Sequence, residues 1–170
     1  MKALTVKPYK TGQAKEILSW IPDEAVYYQW CAGLMGTYPV TVQGMETYLA
    51  EKEAEGNFFP LVVYEKDEMM GHFFLRYTDE AKETLRIGFV VIMDTKKGQG
   101  YGTALMEAAM DYGVAVLGAN KITLAVHTEN IGAKKCYERV GFDTLEGIRM
   151  FRVAGATDEL PNWEMEWVKQ

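Results

Sequence analysis

Apolar residues recur at two spacings along this chain, and the change from one spacing to the other marks out its elements. Ala3 to Lys7 alternates as a strand does. Thr11 to Trp20 and Asp23 to Gly33 carry helical spacing, with Asp23 placed to cap the second helix after Pro22. Met45, Tyr48 and Leu49 share one face of a helix over Thr41 to Glu53, with Thr41 as its cap. Phe58 to Tyr64 and Met69 to Tyr77 read as strands, and the polar run Glu65-Lys66-Asp67-Glu68 between them predicts a hairpin.

The centre of the chain is more regular. Leu85, Ile87 and Phe89 alternate with Arg86 and Gly88, and from Phe89 to Met93 the run becomes continuously apolar. That change predicts a strand entering the middle of a sheet covered on both faces. A glycine loop follows, and then Leu105, Ala109, Tyr112 and Val116 form a helical stripe that closes near Gly118. Ile122, Leu124 and Val126 alternate as the next strand. A helix from Ile131 to Arg139 begins behind Asn130 and ends at Gly141-Phe142; strand-like sequence follows, with Trp163 to Val168 as a last strand. A right-handed crossover makes the two central strands parallel.

With 170 residues, the pattern predicts one domain over 1–170 with one substantial core. No apolar run reaches the roughly 18 residues of a transmembrane helix, and Met1 to Lys7 lacks the apolar stretch of a signal peptide, so the expected residence is cytoplasmic. Cys31 and Cys136 are then expected to be reduced thiols. With His72 and His127 the only histidines, no zinc cluster is expected. The net charge of -6 argues against nucleic acid as a partner and tilts toward a cationic substrate.

The chemistry concentrates at Lys97-Gly98-Gln99-Gly100-Tyr101-Gly102, a glycine loop between a strand and a helix. Exposed amides and the helix dipole make such a position a phosphate site. A Walker loop would need Lys-Ser/Thr after its last glycine, and none follows. A Rossmann loop would need a glycine where Thr103 stands. An acyl-CoA loop is the third reading. Downstream lies Asn130-Ile131-Gly132-Ala133-Lys134-Lys135-Cys136-Tyr137-Glu138-Arg139-Val140-Gly141-Phe142.

This segment resembles the second signature of the GCN5-related N-acetyltransferase (GNAT) family, Asn-x-x-Ala-x-x-x-Tyr-x-x-x-Gly-Phe. The loop resembles the first, Gln/Arg-x-x-Gly-x-Gly/Ala, with Lys97 in place of Gln or Arg. Ile87-Gly88-Phe89-Val90-Val91-Ile92 is similar to the branch holding ribosomal-protein and spermidine acetyltransferases. The resemblance implies an α/β fold of the α+β type. Its mixed, mostly antiparallel sheet would have about six to seven strands, two central parallel strands splayed around acetyl-CoA, and helices on both faces. It implies acetyl-CoA as co-substrate, no metal, and direct acetyl transfer to a primary amine of a small molecule, peptide or protein through a tetrahedral intermediate. A homodimer is expected because sheet edges in such folds often pair. The alternative is a non-catalytic acyl-CoA-binding or regulatory module.

The resemblance also assigns residues. Lys97, Gly98, Gln99, Gly100, Tyr101 and Gly102 would hold the pyrophosphate, and Val90, Val91 and Ile92 the pantetheine arm, which Asn130 would also contact. Tyr137 would protonate the leaving thiolate, a role suited to a phenol that stays protonated at neutral pH. Glu83 is the first candidate base for the amine, with Asp79, Glu80 and His127 behind it. Cys136 as an acyl-carrying nucleophile is disfavoured, since no histidine lies near it in sequence. Trp20, Tyr27, Tyr28, Trp30 and Tyr38 are either core or the wall of the acceptor site.

Overall fold

The computed structural model describes residues 2–170. The chain runs β1 (Leu4–Pro8), α1 (Ala14–Ser19), α2 (Glu24–Cys31), α3 (Val42–Ala54), β2 (Phe58–Glu65), β3 (Glu68–Tyr77) and β4 (Thr84–Ile92). A 3-10 turn at Asp94–Lys96 leads to α4 (Tyr101–Ala115), β5 (Lys121–His127), α5 (Ile131–Arg139), β6 (Asp143–Arg152) and β7 (Glu159–Val168). The strands form one sheet in the order β1-β2-β3-β4-β5-β7-β6. Among the described residues β4–β5 is its one parallel pair, as the crossover through α4 requires.

The caps fall as expected. Asp23 accepts from the Val26 amide, Thr41 from Gly44 and Asn130 from Ala133. The first helix begins three residues later than its spacing predicts, because Gly12 takes a left-handed conformation and the chain turns there first. The last strand begins at Glu159 rather than Trp163, paired along its length with a β6 that the sequence only hinted at. Most of β6 is exposed, so it shows little of the alternation by which a buried strand is read.

Each face of the sheet buries its own cluster. Leu61, Phe73, Leu75 and Ile87 point toward α4 and α5, against Leu105 and Met106. Phe58, Val62, Phe74 and Phe89 point the other way, under α1 to α3. The sheet therefore separates a side carrying the glycine-loop helix from a side carrying the early aromatics.

Two irregularities open the sheet at its centre. β4 and β5 pair only at Thr84–Lys121, Leu85–Ile122 and Arg86–Thr123, although β4 continues to Ile92 and β5 to His127. Opposite, the β3–β4 register slips between His72 and Phe74, and Phe89 takes φ +51°, a left-handed conformation costly for a phenylalanine. This bulge bends β4 away from β5. The facing edges beyond Arg86 present unpaired backbone groups inside the sheet, the kind of edge to which an extended ligand adds as a strand.

Candidate active site

The glycine loop is built to leave amides free. Gly98 and Gly100 have φ of +71° and +82°, and an added side chain at Gly98 would meet nothing within 4 Å. Gly100 is the N-cap of α4 and supplies no side-chain oxygen to its first turn. The amides of Gly98 through Thr103 have no acceptor among the described residues. A run of unpaired amides at a fifteen-residue helix's N-terminus is a geometry that favours an anion.

The loop's side chains divide the work. Lys97 reaches Asp94 at 2.5 Å and is half exposed, so its ammonium remains near the loop mouth. Gln99 bonds back to the Thr95 carbonyl, and Tyr101 is buried with its hydroxyl donating to Glu65 at 2.8 Å. Neither side chain reaches the cavity, and each supports the loop from behind. Lys96 is held by Glu65 and Glu68 at 3.0 and 2.9 Å. Arg139, which the sequence reading passed over, lines the cavity within 3.4 Å of the Thr103 hydroxyl.

A cavity of about 1360 Å³ starts at this loop, passes the β4–β5 gap and widens under α2 and α3. Its volume exceeds the roughly 300–1,000 Å³ of a single small-ligand site, leaving room for two substrates. Val90, Val91 and Ile92 line it along the gap, and so do Asn130 and Tyr137. Asn130 spends its Oδ1 on the cap of α5, and its Nδ2 makes no bond among the described residues. Tyr137 is buried on α5 with its ring against Phe142 at 6.3 Å. Burial pushes its phenol well above the usual tyrosine range, so it carries its proton throughout neutral pH. Cys136 also lines the cavity and meets the Thr103 hydroxyl at 3.5 Å, with no base bonded to it.

The expected base does not reach this place. Glu83 is exposed just before β4, where its carbonyl accepts from Asn120 and Lys121. That end of the strand is the paired one, six residues or about 20 Å from the bulge. Asp79 and Glu80 share the same turn, with the Asp79 carboxylate spent on the Glu83 and Thr84 amides. Only His127 of the candidate bases lines the cavity, and its Nδ1 already accepts the Glu129 amide at 3.2 Å.

Beyond the gap the cavity becomes an aromatic chamber. Phe58 stacks on Phe74 at 4.5 Å, and Phe89 meets Phe74 edge-on at 4.8 Å. Trp30 and Tyr48 flank Phe89 at 5.6 and 5.9 Å. Trp20 and Tyr28 also line it, whereas Tyr27 is core with its hydroxyl on the Gly36 carbonyl, and Tyr38 lies outside the lining. The β6–β7 hairpin adds Phe151, Arg152, Leu160 and Asn162 to the lining, and the Ala154 amide ties it to the Ala32 carbonyl at 2.8 Å. Gly88 floors the chamber, and a side chain there would stand 2.5 Å from the Phe74 ring.

The model of the acetyltransferase (GNAT) family matches residues 18–142, which include the gap, the loop and α5. The chain belongs to this family. The GNAT fold is also that of spermidine N-acetyltransferase from Vibrio cholerae in complex with CoA and spermine, at a TM-score of 0.79 over 98% of this chain and 95% of that one, with 19% identity. A dodecameric structure of the same Vibrio cholerae enzyme in an intermediate state superposes with a TM-score of 0.74 and 18% identity, covering 98% of this chain and 94% of that one. This GNAT protein is an N-acetyltransferase that uses acetyl-CoA as co-substrate. Among the described residues no cluster of three His, Cys, Asp or Glu side chains could hold a metal, and no helix is long and apolar enough to cross a membrane.

Proposed function

We propose that residues 1–170 form a single acetyltransferase domain that acetylates the primary amine of a small molecule or peptide directly. The observation that carries this is the continuity of the cavity, from unpaired loop amides past the split sheet to an aromatic chamber. Gly98 to Gly102 and Thr103 hold the pyrophosphate through backbone amides, with Lys97 and Arg139 adding positive charge. The free edge of β4 at Val90 to Ile92 and the Asn130 amide group hold the pantetheine arm. Tyr137, neutral because it is buried, gives its proton to the departing sulfur.

A chamber lined by aromatic rings at the end of this cavity suits a free small molecule or a short chain end. We place the enzyme in the cytoplasm, in keeping with its two free cysteines. We infer a homodimer through the outer edge of β6, where Ile148 and Met150 are each 52% exposed, and sedimentation of the protein tests it. The function itself is tested by CoA release from acetyl-CoA across an amine panel, alongside thermal stabilisation by acetyl-CoA, ATP and NAD. Amine-dependent CoA release with stabilisation by acetyl-CoA alone is expected. Stabilisation by ATP or NAD instead, or binding of acetyl-CoA without release on any amine, contradicts the reading.

A further inference from the structure

The chain is acidic, but the chamber beyond the gap is not. Away from the glycine loop and Arg139, the charged lining of the cavity is Lys52, Glu55, Arg76, Arg86, Glu129 and Arg152. Lys52 pairs with Glu55 at 3.1 Å. Arg86 is saturated by Glu164, which accepts both guanidinium nitrogens at 2.6 and 2.8 Å from a buried position on β7. Arg76 and Arg152 have no hydrogen-bond or ion-pair partner among the described residues. With a net charge of -6 over the chain, this cationic surplus is a local feature that runs against the general composition.

Arg76 is the better placed of the two. On β3 it stands directly opposite Arg86 of β4, two residues along from the Phe74–Gly88 pair that floors the chamber. Residues paired across an antiparallel ladder project from the same face, so two guanidinium groups are side by side where like charges repel. One carboxylate, Glu164, neutralises one of them. Arg76 is exposed at the chamber's edge; its partial burial and the neighbouring Arg86 hold its guanidinium below the ordinary value, and the Tyr48 phenol pulls the other way.

We propose that the acceptor amine carries an anionic group, a carboxylate or phosphate, and that Arg76 binds that group while the amine faces the β4–β5 gap. This rests on the acetyltransferase reading and narrows it. The anion supplies the second negative charge that the Arg76–Arg86 pair lacks. The aromatic floor of Phe58, Phe74 and Phe89 takes the apolar body between the two ends. From Arg76 to the level of Gly88–Val90 is two to four strand residues, about 7–13 Å, which the reach of an arginine shortens. Amino acids, short peptides and aminoalkyl phosphates span that distance. A polyamine would set its second ammonium beside two guanidiniums.

The test compares kcat/KM for acetyl transfer to matched acceptors: 6-aminohexanoate against hexylamine, phenylalanine against phenethylamine, phosphoethanolamine against ethanolamine, and spermidine as the polycation. Each is measured on wild type, Arg76→Gln and Arg76→Lys, with acetyl-CoA affinity and circular dichroism as folding controls. A charge-assisted contact predicts a preference of about 10- to 100-fold for an anionic member over its neutral partner. Arg76→Gln should erase that preference through KM, leave neutral amines within about twofold, and be partly rescued by Arg76→Lys. Whether the carboxylates or the phosphate lead identifies the group. Preference for spermidine or the neutral amines overturns the proposal while leaving the acetyltransferase intact. So does an equal loss on every acceptor in a folded Arg76→Gln that still binds acetyl-CoA. Acetyl-CoA binding without transfer to any amine overturns the acetyltransferase reading and the proposal with it.

Discussion

Acid should weaken the wall of the acceptor chamber through one residue, His72. It is fully buried on β3, and its Nδ1 lies 2.9 Å from the Leu61 carbonyl. A carbonyl only accepts, so Nδ1 carries the proton and Nε2 the lone pair. Nε2 has no partner, and neither do the Tyr9 hydroxyl and the Trp30 Nε1, whose rings stand 6.2 and 6.4 Å from the imidazole. A charge placed there would be unsolvated, and burial pulls the pKa from 6.5 to about 4 despite the Leu61 bond. Between those values the unfolded chain binds a proton that the folded chain refuses. Stability therefore falls as pH drops, by roughly 1.4 kcal/mol per pH unit at most and about 3 kcal/mol across the window. His72→Asn keeps a donor for Leu61 and cannot ionise. Urea unfolding of both proteins from about pH 7 to pH 4.5 isolates the effect, because other titrations are shared. The wild-type advantage should shrink steadily below about pH 6.5. Two stability profiles that stay parallel would refute the reasoning.

The Arg86–Glu164 pair predicts a second stability effect. Glu164→Gln leaves a half-buried guanidinium beside Arg76 without its carboxylate, and the midpoint of urea unfolding should show a loss of about 3 kcal/mol or more. Removing both charges with Arg86→Met and Glu164→Met should cost less than removing the carboxylate alone, as a double-mutant cycle would report. At the loop, Gly100→Ala forces a side chain into φ +82° at a cost of about 1 kcal/mol and displaces the free amides, so KM for acetyl-CoA should rise while KM for the amine stays put.

The glycine-loop and α5 side of the cavity was legible because its residues are neighbours in sequence. Gly98 to Gly102 form a single loop, and Asn130 and Tyr137 lie seven residues apart on one helix, so local spacing carries the geometry. The opposite side was not, because strand register assembles it. Arg76 reads as one polar residue at the end of an apolar strand, and only its pairing with Arg86 shows that two like charges meet. Glu164 looks like one of several acids in β7 until β5 and β7 carry it across to Arg86. The same blindness explains Glu83. It is near the central strand in sequence, but the sheet opens at the strand's other end.

Turnover by Tyr137→Phe tests the central claim most directly. Phenylalanine keeps the ring packed on Phe142 and removes only the hydroxyl proposed to protonate the departing sulfur. The account predicts a fall in kcat of roughly 100-fold or more, with acetyl-CoA affinity and the unfolding midpoint little changed. A Tyr137→Phe enzyme that releases CoA to its best amine at the wild-type rate would contradict it.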